Sequence, residues 1–283
     1  MDATTDKQTA QTLPARPFWQ TDLREAFRLL GTPGRIVRAN LLALWVLILF
    51  LFWCFAPVQG IPYPSEVLAA FNRMWALNNE TNLVYNTYVT LRLNVVGLFL
   101  ATIISLALAY LSVLPFMRPL NQILQWFRYL PIVAFNLLFL ALFTIGPSLK
   151  IAMLTAGMAF FLITSMTAEI ARIPRLKFEL ARVLNYSDWK TFYTVVFRPT
   201  LPAMIDIVAQ NAAMGWIMIV AIETFNRTEG GIGAQIYSYS STNQQAEVYV
   251  YLFIIGIIAV LEDQLFVWLR RSLFPYTLIA ERA

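Results

Sequence analysis

The sequence predicts an all-α protein, a polytopic membrane bundle of about six transmembrane helices. Of its 283 residues, 59% are hydrophobic and only 13% are charged, whereas a soluble domain carries about 25% charged residues. The hydrophobic residues also fall into long runs with few charges. Such runs must be helical in a bilayer, because hydrocarbon cannot hydrogen-bond to free backbone groups.

Six apolar runs approach the roughly 20 residues that a helix needs to cross a bilayer. They cover residues 41–58, 93–114, 130–145, 149–167, 203–222 and 248–269. The third run is the shortest and begins near Pro131. Residues 39–283 are therefore predicted to form one transmembrane domain. Residues 1–38 are predicted to be a cytoplasmic segment with a helix on the membrane surface, because apolar residues recur at helical spacing from Leu23 to Leu30.

The basic residues predict the orientation of these spans. With a cytoplasmic N-terminus, 17 of the 21 Lys and Arg residues fall on the cytoplasmic side. The other four, Arg73, Arg92, Lys150 and Arg227, fall outside or at the outer boundary. This asymmetry predicts a multi-pass membrane protein with both termini in the cytoplasm. Membrane lipid rather than nucleic acid is then the partner of the basic residues.

Several kinds of catalytic and metal site are excluded by composition. The chain has no histidine, the commonest general base and metal ligand. Cys54 is the only cysteine, which excludes an internal disulfide and a cysteine-based metal site. The phosphate-binding pattern G-x-x-x-x-G-K-[ST] is also missing. An enzyme activity would have to use carboxylates, Lys, Tyr or Ser alone. We predict no catalytic residue, no metal site and no cofactor bound by this chain.

Two segments on the predicted outer side differ from simple loops. Ser65 can cap a helix with an apolar stripe. The stripe consists of Val67, Leu68, Phe71, Met74 and Trp75. It predicts a helix lying in the outer interface. Residues 224–246 are too polar to cross the bilayer and are rich in glycine, so we expect them to dip or turn at the outer end of the bundle.

A long cytoplasmic connection, residues 168–202, joins the fourth and fifth spans. Helix connections usually take only about two to eight residues, so this one is expected to have structure of its own. Residues 178–184 are predicted to form a helix with Glu179 and Arg182 as an i,i+3 ion pair.

The chain is expected to turn sharply after this helix. Asn185 can end the helix in the left-handed conformation, which asparagine tolerates. Ser187 can then cap a second short helix that has Asp188 in its first turn. The sequence thus predicts two short helices at a corner, held at the membrane by Arg198 and Pro202.

This connection resembles the cytoplasmic loop of ABC importer permeases, whose pattern is Glu-Ala-Ala, a glycine, and then Leu-Pro. The matching residues here are Glu179, Leu180 and Ala181, with Asn185 in the place of the glycine. Leu201 and Pro202 follow at the appropriate distance. Leu180 and Asn185 depart from the pattern, but asparagine can fill a left-handed site.

Two further segments are similar to the nitrate/sulfonate/taurine branch of these permeases. Residues 61–71, IPYPSEVLAAF, resemble its outer Pro-Ser-Glu helix. Residues 229–236, EGGIGAQI, resemble its glycine-rich loop before the last span. The resemblance covers about residues 60–275, and the motifs occur in the expected order.

The resemblance implies a type I ABC importer permease of the bacterial inner membrane, without an ATPase site of its own. Its cytoplasmic loop would be the coupling helix that docks on ABC ATPase subunits, which bind ATP and Mg. A second copy of the permease and an extracytoplasmic solute-binding protein would complete the importer. The residues expected in the coupling loop are Glu179, Ala181, Arg182, Asn185, Tyr186, Ser187, Asp188, Leu201 and Pro202.

The branch implies a small anion as solute, such as nitrate, a sulfonate such as taurine, or bicarbonate, although some relatives carry pyrimidine-type vitamin precursors. The absence of basic residues inside the predicted spans argues against a strong anion site in this chain. Polar residues in the spans suggest a translocation pathway, because such groups usually face a bundle interior or water. The candidates are Asn136, Asp206, Gln210, Asn211 and Glu223. Ordinary hydrogen bonding between helices is the alternative.

Glu262 and Asp263 are expected to form structural pairs with Arg270 and Arg271.

Two other functions compete with this interpretation, and the cytoplasmic connection has an alternative explanation of its own. A stand-alone secondary transporter would leave the long cytoplasmic connection unexplained, and we find no internal repeat. A membrane enzyme would lack histidine and any evident Ser/Lys or paired-Asp arrangement in the spans. The cytoplasmic connection could also be a basic amphipathic segment resting on anionic lipid.

Overall fold

The computed structural model describes residues 34–55, 60–76 and 82–275, and the regular elements among them are all helical. The chain divides into two units, residues 1–64 and 65–283. In the first unit, α1 (Arg35–Phe55) covers most of the first predicted span. The surface helix predicted after Leu23 lies outside the described residues, and the domain boundary predicted after residue 38 stays a prediction.

The helices that follow are regular over most of the chain. In chain order they are α2 (Pro64–Ala76), α3 (Leu83–Leu111), α4 (Arg118–Trp126), α5 (Asn136–Leu142), α6 (Pro147–Ala171), α7 (Arg175–Val183), α8 (Asp188–Thr191), α9 (Arg198–Phe225), α10 (Ile232–Ser241) and α11 (Gln245–Leu273). Between them lie three 3₁₀ turns, Pro115–Met117, Phe127–Tyr129 and Ile132–Phe135, and one π-helical stretch, Phe192–Phe197.

Five of the predicted spans are present as long apolar helices, and the third is not. The five are α1, α3, α6, α11 and the stretch Asp188–Phe225 that contains α9. In place of the third, the segments Pro115–Tyr129 and Ile132–Leu142 meet at 105°. Pro131 lies at the break, where proline holds the residue before it in an extended conformation. The described residues therefore contain five spans, or six if this bent pair crosses the membrane as a single span.

The second span begins earlier than predicted. Its helix α3 starts at Leu83, where Asn82 Oδ1 accepts hydrogen bonds from the backbone of Val84 at 2.7 Å and Tyr85 at 3.2 Å. The apolar pattern misses this first part because it contains polar residues. Asn86 and Thr90 are buried there and accept hydrogen bonds from the backbone of Gly231 and Ile232, which no local pattern reveals.

Helices α3, α6 and α9 pack against one another and form the core of the second unit. Small residues allow this close approach, as is common between membrane helices. A side-chain carbon at Gly97 would lie 2.5 Å from Leu154 Cδ2, and one at Gly215 would lie 2.6 Å from Asn94 Oδ1. Helix α11 packs on α9 and α10 and leaves most of its apolar surface exposed.

The helix predicted after Pro64 is present as α2, and its location in the outer interface stays a prediction. The helix begins at Pro64 itself, so Ser65 is inside its first turn rather than its cap. Its buried side is formed by Val67, Ala70 and Met74. Leu68 and Trp75, which belong to the predicted apolar stripe, are exposed.

Candidate functional site: a helical corner and a buried carboxylate

The predicted left-handed residue closes the corner after α7. Asn185 has φ 51°, which confirms the conformation expected of it. The backbone N–H of Asn185 donates to the Arg182 carbonyl at 2.9 Å, and that of Tyr186 donates to the Ala181 carbonyl at 3.0 Å. These two bonds are those of a Schellman motif, which satisfies the last carbonyls of a helix.

The segment after the corner, which begins at Asp188, was predicted to be a separate short helix and is not. Ser187 caps α8 as expected, with Oγ accepting from the Lys190 N–H at 3.4 Å. Helix α8 then continues through Phe192–Phe197 into α9, so that Asp188–Phe225 forms one stretch of 38 residues. The π turn precedes Pro199 and Pro202, which cannot donate backbone hydrogen bonds. The second arm of the corner is thus the end of the fifth span itself.

Aromatic rings fix this arm against the bundle. The Tyr110 hydroxyl lies 2.9 Å from Thr200 Oγ1, and its ring centroid is 5.0 Å from that of Phe197. Phe192 contacts the Tyr110 ring edge-on at 5.9 Å and the Trp189 ring edge-on at 6.1 Å. A displacement of α8 must therefore move α9 and the adjoining end of α3, because packed side chains do not deform freely.

The corner presents an apolar surface instead of burying it. Its exposed apolar residues are Leu176, Leu180, Val183, Leu184 and Trp189. Of the residues assigned to the coupling loop, Ala181 and Pro202 are buried, Leu201 and Tyr186 are half-buried, and the others are exposed. The ion pair predicted between Glu179 and Arg182 does not form among the described residues. An ion pair lies just before the corner, between Arg172 and Glu169 at 3.0 Å. Exposed apolar groups of this size favour a partner surface.

The opposite end of α9 holds a buried carboxylate. Glu223 is fully buried and accepts hydrogen bonds from Thr90 Oγ1 at 2.8 and 2.9 Å and from the Gly233 N–H at 2.8 Å. Thr90 in turn accepts from the Ile232 N–H at 2.7 Å. These bonds tie the glycine-rich loop to α3 and α9, and they confirm that this loop turns back onto the end of the bundle.

Glycine is required where this loop passes the carboxylate. Gly231 has φ 109°, and a side chain there would also collide with the Glu223 carboxylate. Its N–H donates to Asn86 Oδ1 at 2.8 Å, so the backbone itself fills the space beside α3.

Lys150 belongs to the same cluster, and the sequence did not reveal it. It is fully buried near the start of α6, and its Nζ donates to the Gly230 carbonyl at 3.2 Å. Glu223 and Glu229 both act electrostatically on its ammonium group. A lone lysine at the edge of an apolar run looks like an interfacial residue, and its partners are far away in sequence.

The five predicted pathway residues do not meet at one place. Asn136 accepts from Asn226 Nδ2 at 3.0 Å beyond the end of α9, on the side of Glu223. At the other end of α9, Asp206 pairs with Arg270 at 3.4 Å. Between them, Gln210 is exposed and Asn211 donates to the Ile207 carbonyl within its own helix. Their role in a pathway stays a prediction.

The pairs predicted within α11 are replaced by contacts to α9. Glu262 accepts from Trp216 Nε1 at 2.7 Å, and Arg270 pairs with Asp206. Asp263 and Arg271 are exposed. The prediction considered only neighbours along one helix, whereas the buried side of α11 faces α9.

Curated relatives of this chain are membrane permeases. It is 24% identical over 200 residues to a protein assigned as an ABC transporter permease in Methanocaldococcus jannaschii, covering 66% of this chain and 74% of the relative. It is 25% identical to the nitrate import permease protein NrtB of Leptolyngbya laminosa, covering 69% and 71%. The bicarbonate transport system permease CmpB of a Synechocystis species is 24% identical, covering 40% of this chain and 41% of its own length. No family model matches the chain.

A solved structure agrees in fold. A chain of the MetNI methionine ABC transporter, in inward-facing conformations, superimposes with a TM-score of 0.59 at 19% identity. The match covers 67% of this chain and 95% of the other. The chain therefore has the fold of an ABC importer permease, and its sequence is similar to those of permeases for nitrate and bicarbonate, as its motifs predict.

Proposed function

We propose that this chain is the membrane-spanning permease subunit of an ATP-driven ABC importer. The observation that carries this proposal is the corner at Asn185, which exposes apolar side chains at the end of a span and is continuous with that span. A surface of this kind suits the docking of another subunit. The permeases to which the chain is similar support the same function.

The corner is suited to transmit movement across the membrane. Helix α9 has 28 residues, which corresponds to about 42 Å. One end carries the corner and the other carries Glu223 with the glycine-rich loop. ATP-driven closure of the docked subunits would shift the corner and, through α9, the loop. We infer an outward-open state with ATP bound and an inward-open state after hydrolysis.

In this proposal the Asn185 end is cytoplasmic, as the distribution of basic residues favours. ATP and Mg are bound by separate ABC ATPase subunits, so the chain needs no site for them. A second copy of the chain completes the pathway, and a solute-binding protein delivers the solute to the Gly230 end. The solute is a small anion, since relatives are named for nitrate and bicarbonate.

The test is capture of the ATPase by the tagged chain from its native membranes in mild detergent, with mass spectrometry of the bound proteins. We expect an ABC ATPase subunit to be recovered. Leu180→Asp should reduce its recovery at least about tenfold, because a carboxylate would be buried against an apolar partner surface. Leu180 is 59% exposed, so the variant should fold.

Leu68→Asp provides the matched control. Leu68 is 63% exposed on α2, away from the corner, and its replacement should leave ATPase recovery unchanged. A folded chain that is repeatedly purified without any ATPase would contradict the proposal and favour a secondary transporter. Equal recovery of the ATPase with Leu180→Asp and with wild type would show that the corner is not part of the docking surface.

A further inference from the structure

A cavity of about 750 Å³, lined by both polar and apolar side chains, opens at the Gly230 end of the second unit. Its walls come from the first turns of α3, the start of α6, the glycine-rich loop and α10. The polar and charged side chains in these walls are Tyr85, Tyr88, Arg92, Arg227, Thr228, Glu229, Gln235 and Ser238. This site was not apparent from the sequence, because its residues come from four separate segments.

Two arginines supply hydrogen-bond donors to this cavity. Arg92 lies within α3, one helical turn after Tyr88, and it has no ion pair or hydrogen bond among the described residues. Arg92, predicted at the outer boundary of the second span, thus lies inside the helix of that span, which begins at Leu83. An arginine facing a cavity within a span is a candidate binding residue, since its charge is costly in lipid.

Arg227 is held in place without using its N–H groups. Its guanidinium carbon lies 4.2 Å from the centre of the Tyr237 ring. Stacking on an aromatic ring occupies the face of the guanidinium and leaves its edge free. That edge can bind two oxygens of one planar anion in a bidentate manner.

The charges around the cavity leave a surplus of one positive charge. Arg92 and Arg227 are the cations that line the cavity, and Glu229 is the carboxylate that lines it. Two positive charges thus face one negative charge. A monovalent anion would neutralise the group.

We infer that this cavity is an anion-binding site carried by the permease itself, in which Arg92 and Arg227 bind a small planar oxyanion of the nitrate or bicarbonate type. The inference rests on the proposed function for its solute class. Tyr85 and Tyr88 line the same wall of the cavity as Arg92. The site would receive the anion at the extracytoplasmic end, before it passes along the bundle.

The first test is isothermal titration of the purified full-length chain in detergent with sodium nitrate at constant ionic strength. We expect saturable binding, with the dissociation constant raised at least about tenfold in Arg92→Gln and in Arg227→Gln, because each variant loses a charged, bidentate donor. Arg73→Gln is the matched control, since Arg73 pairs with Glu247 at 2.7 Å and does not line the cavity. Unchanged affinity in both cavity variants, or no saturable binding by wild type, would overturn the inference.

A second measurement requires no variant. Phenylglyoxal modifies accessible arginines, and mass spectrometry reads each position separately. Nitrate should slow the modification of Arg92 and Arg227 several-fold relative to Arg73, and equal rates with and without nitrate would contradict the site. Neither measurement involves an ATPase. A negative result in these two measurements would contradict the anion site and not the docking of an ATPase at the corner. A negative result in the ATPase capture would contradict the docking and not the anion site.

Discussion

Replacing Glu223 with alanine is expected to lower the free energy of unfolding by about 3 kcal/mol or more. The carboxylate accepts hydrogen bonds from two buried donors, the Thr90 hydroxyl, which lies within 2.9 Å of both carboxylate oxygens, and the Gly233 backbone N–H. Alanine would leave those donors unsatisfied, and it would remove a negative charge that acts on the buried Lys150. In a chain of this size, the melting temperature should fall by roughly 6–12 °C.

The same variant should release the glycine-rich loop. Gly231 and Gly233 follow the surface of the Glu223 side chain closely, so the loop has no support once that side chain is removed. Tryptic cleavage after the exposed Arg227 reports this release. We expect the cleavage rate to rise at least about tenfold, because the loop would open more often.

Two further variants make the result specific. Glu223→Gln keeps the shape and one acceptor oxygen, and its effect should be intermediate. Asp263→Asn removes an exposed carboxylate from α11 and should change stability by no more than about 0.5 kcal/mol. An alanine variant at Glu223 that melted at the wild-type temperature would show that the cluster does not stabilise this end of the bundle.

Features set by local geometry were predictable from the sequence. The left-handed conformation at Asn185 follows from a helix that must end before the cap at Ser187, and both residues behave as expected. The spans follow from long apolar runs, because lipid allows few alternatives to a helix. The bend near Pro131 was only partly visible, since proline marks a break but does not give its angle of 105°.

Features that depend on distant partners were not predictable. Lys150 is buried because the Gly230 carbonyl, 80 positions away, accepts its hydrogen bond. Arg92 appeared to lie outside the second span because polar residues interrupt the apolar pattern before it, and one of them, Thr90, bonds to Glu223 on α9. In the same way, Glu262 pairs with Trp216 across two helices and not along its own.

Replacing Asn185 with valine is expected to uncouple ATP hydrolysis from the membrane helices. A β-branched residue at φ 51° is strained by about 1–2 kcal/mol, so the corner would open or shift to another conformation. A strain of this size would reduce the fraction of molecules with the closed corner about tenfold. In the reconstituted importer, solute-stimulated ATP hydrolysis should fall by a similar factor, while the melting temperature of the bundle changes little, because Asn185 is exposed.

Asn185→Gly separates strain from the loss of the side chain. Glycine adopts positive φ without strain, and it is the residue that the resembled permease loop carries at this position. Coupled hydrolysis should therefore remain near the wild-type value in Asn185→Gly. The glycine and valine variants both lack the asparagine side chain, so a difference between them reports strain. If glycine and valine reduced coupling equally, the Asn185 side chain would itself contact the ATPase. If neither reduced it, the corner would not be the element through which α9 is moved.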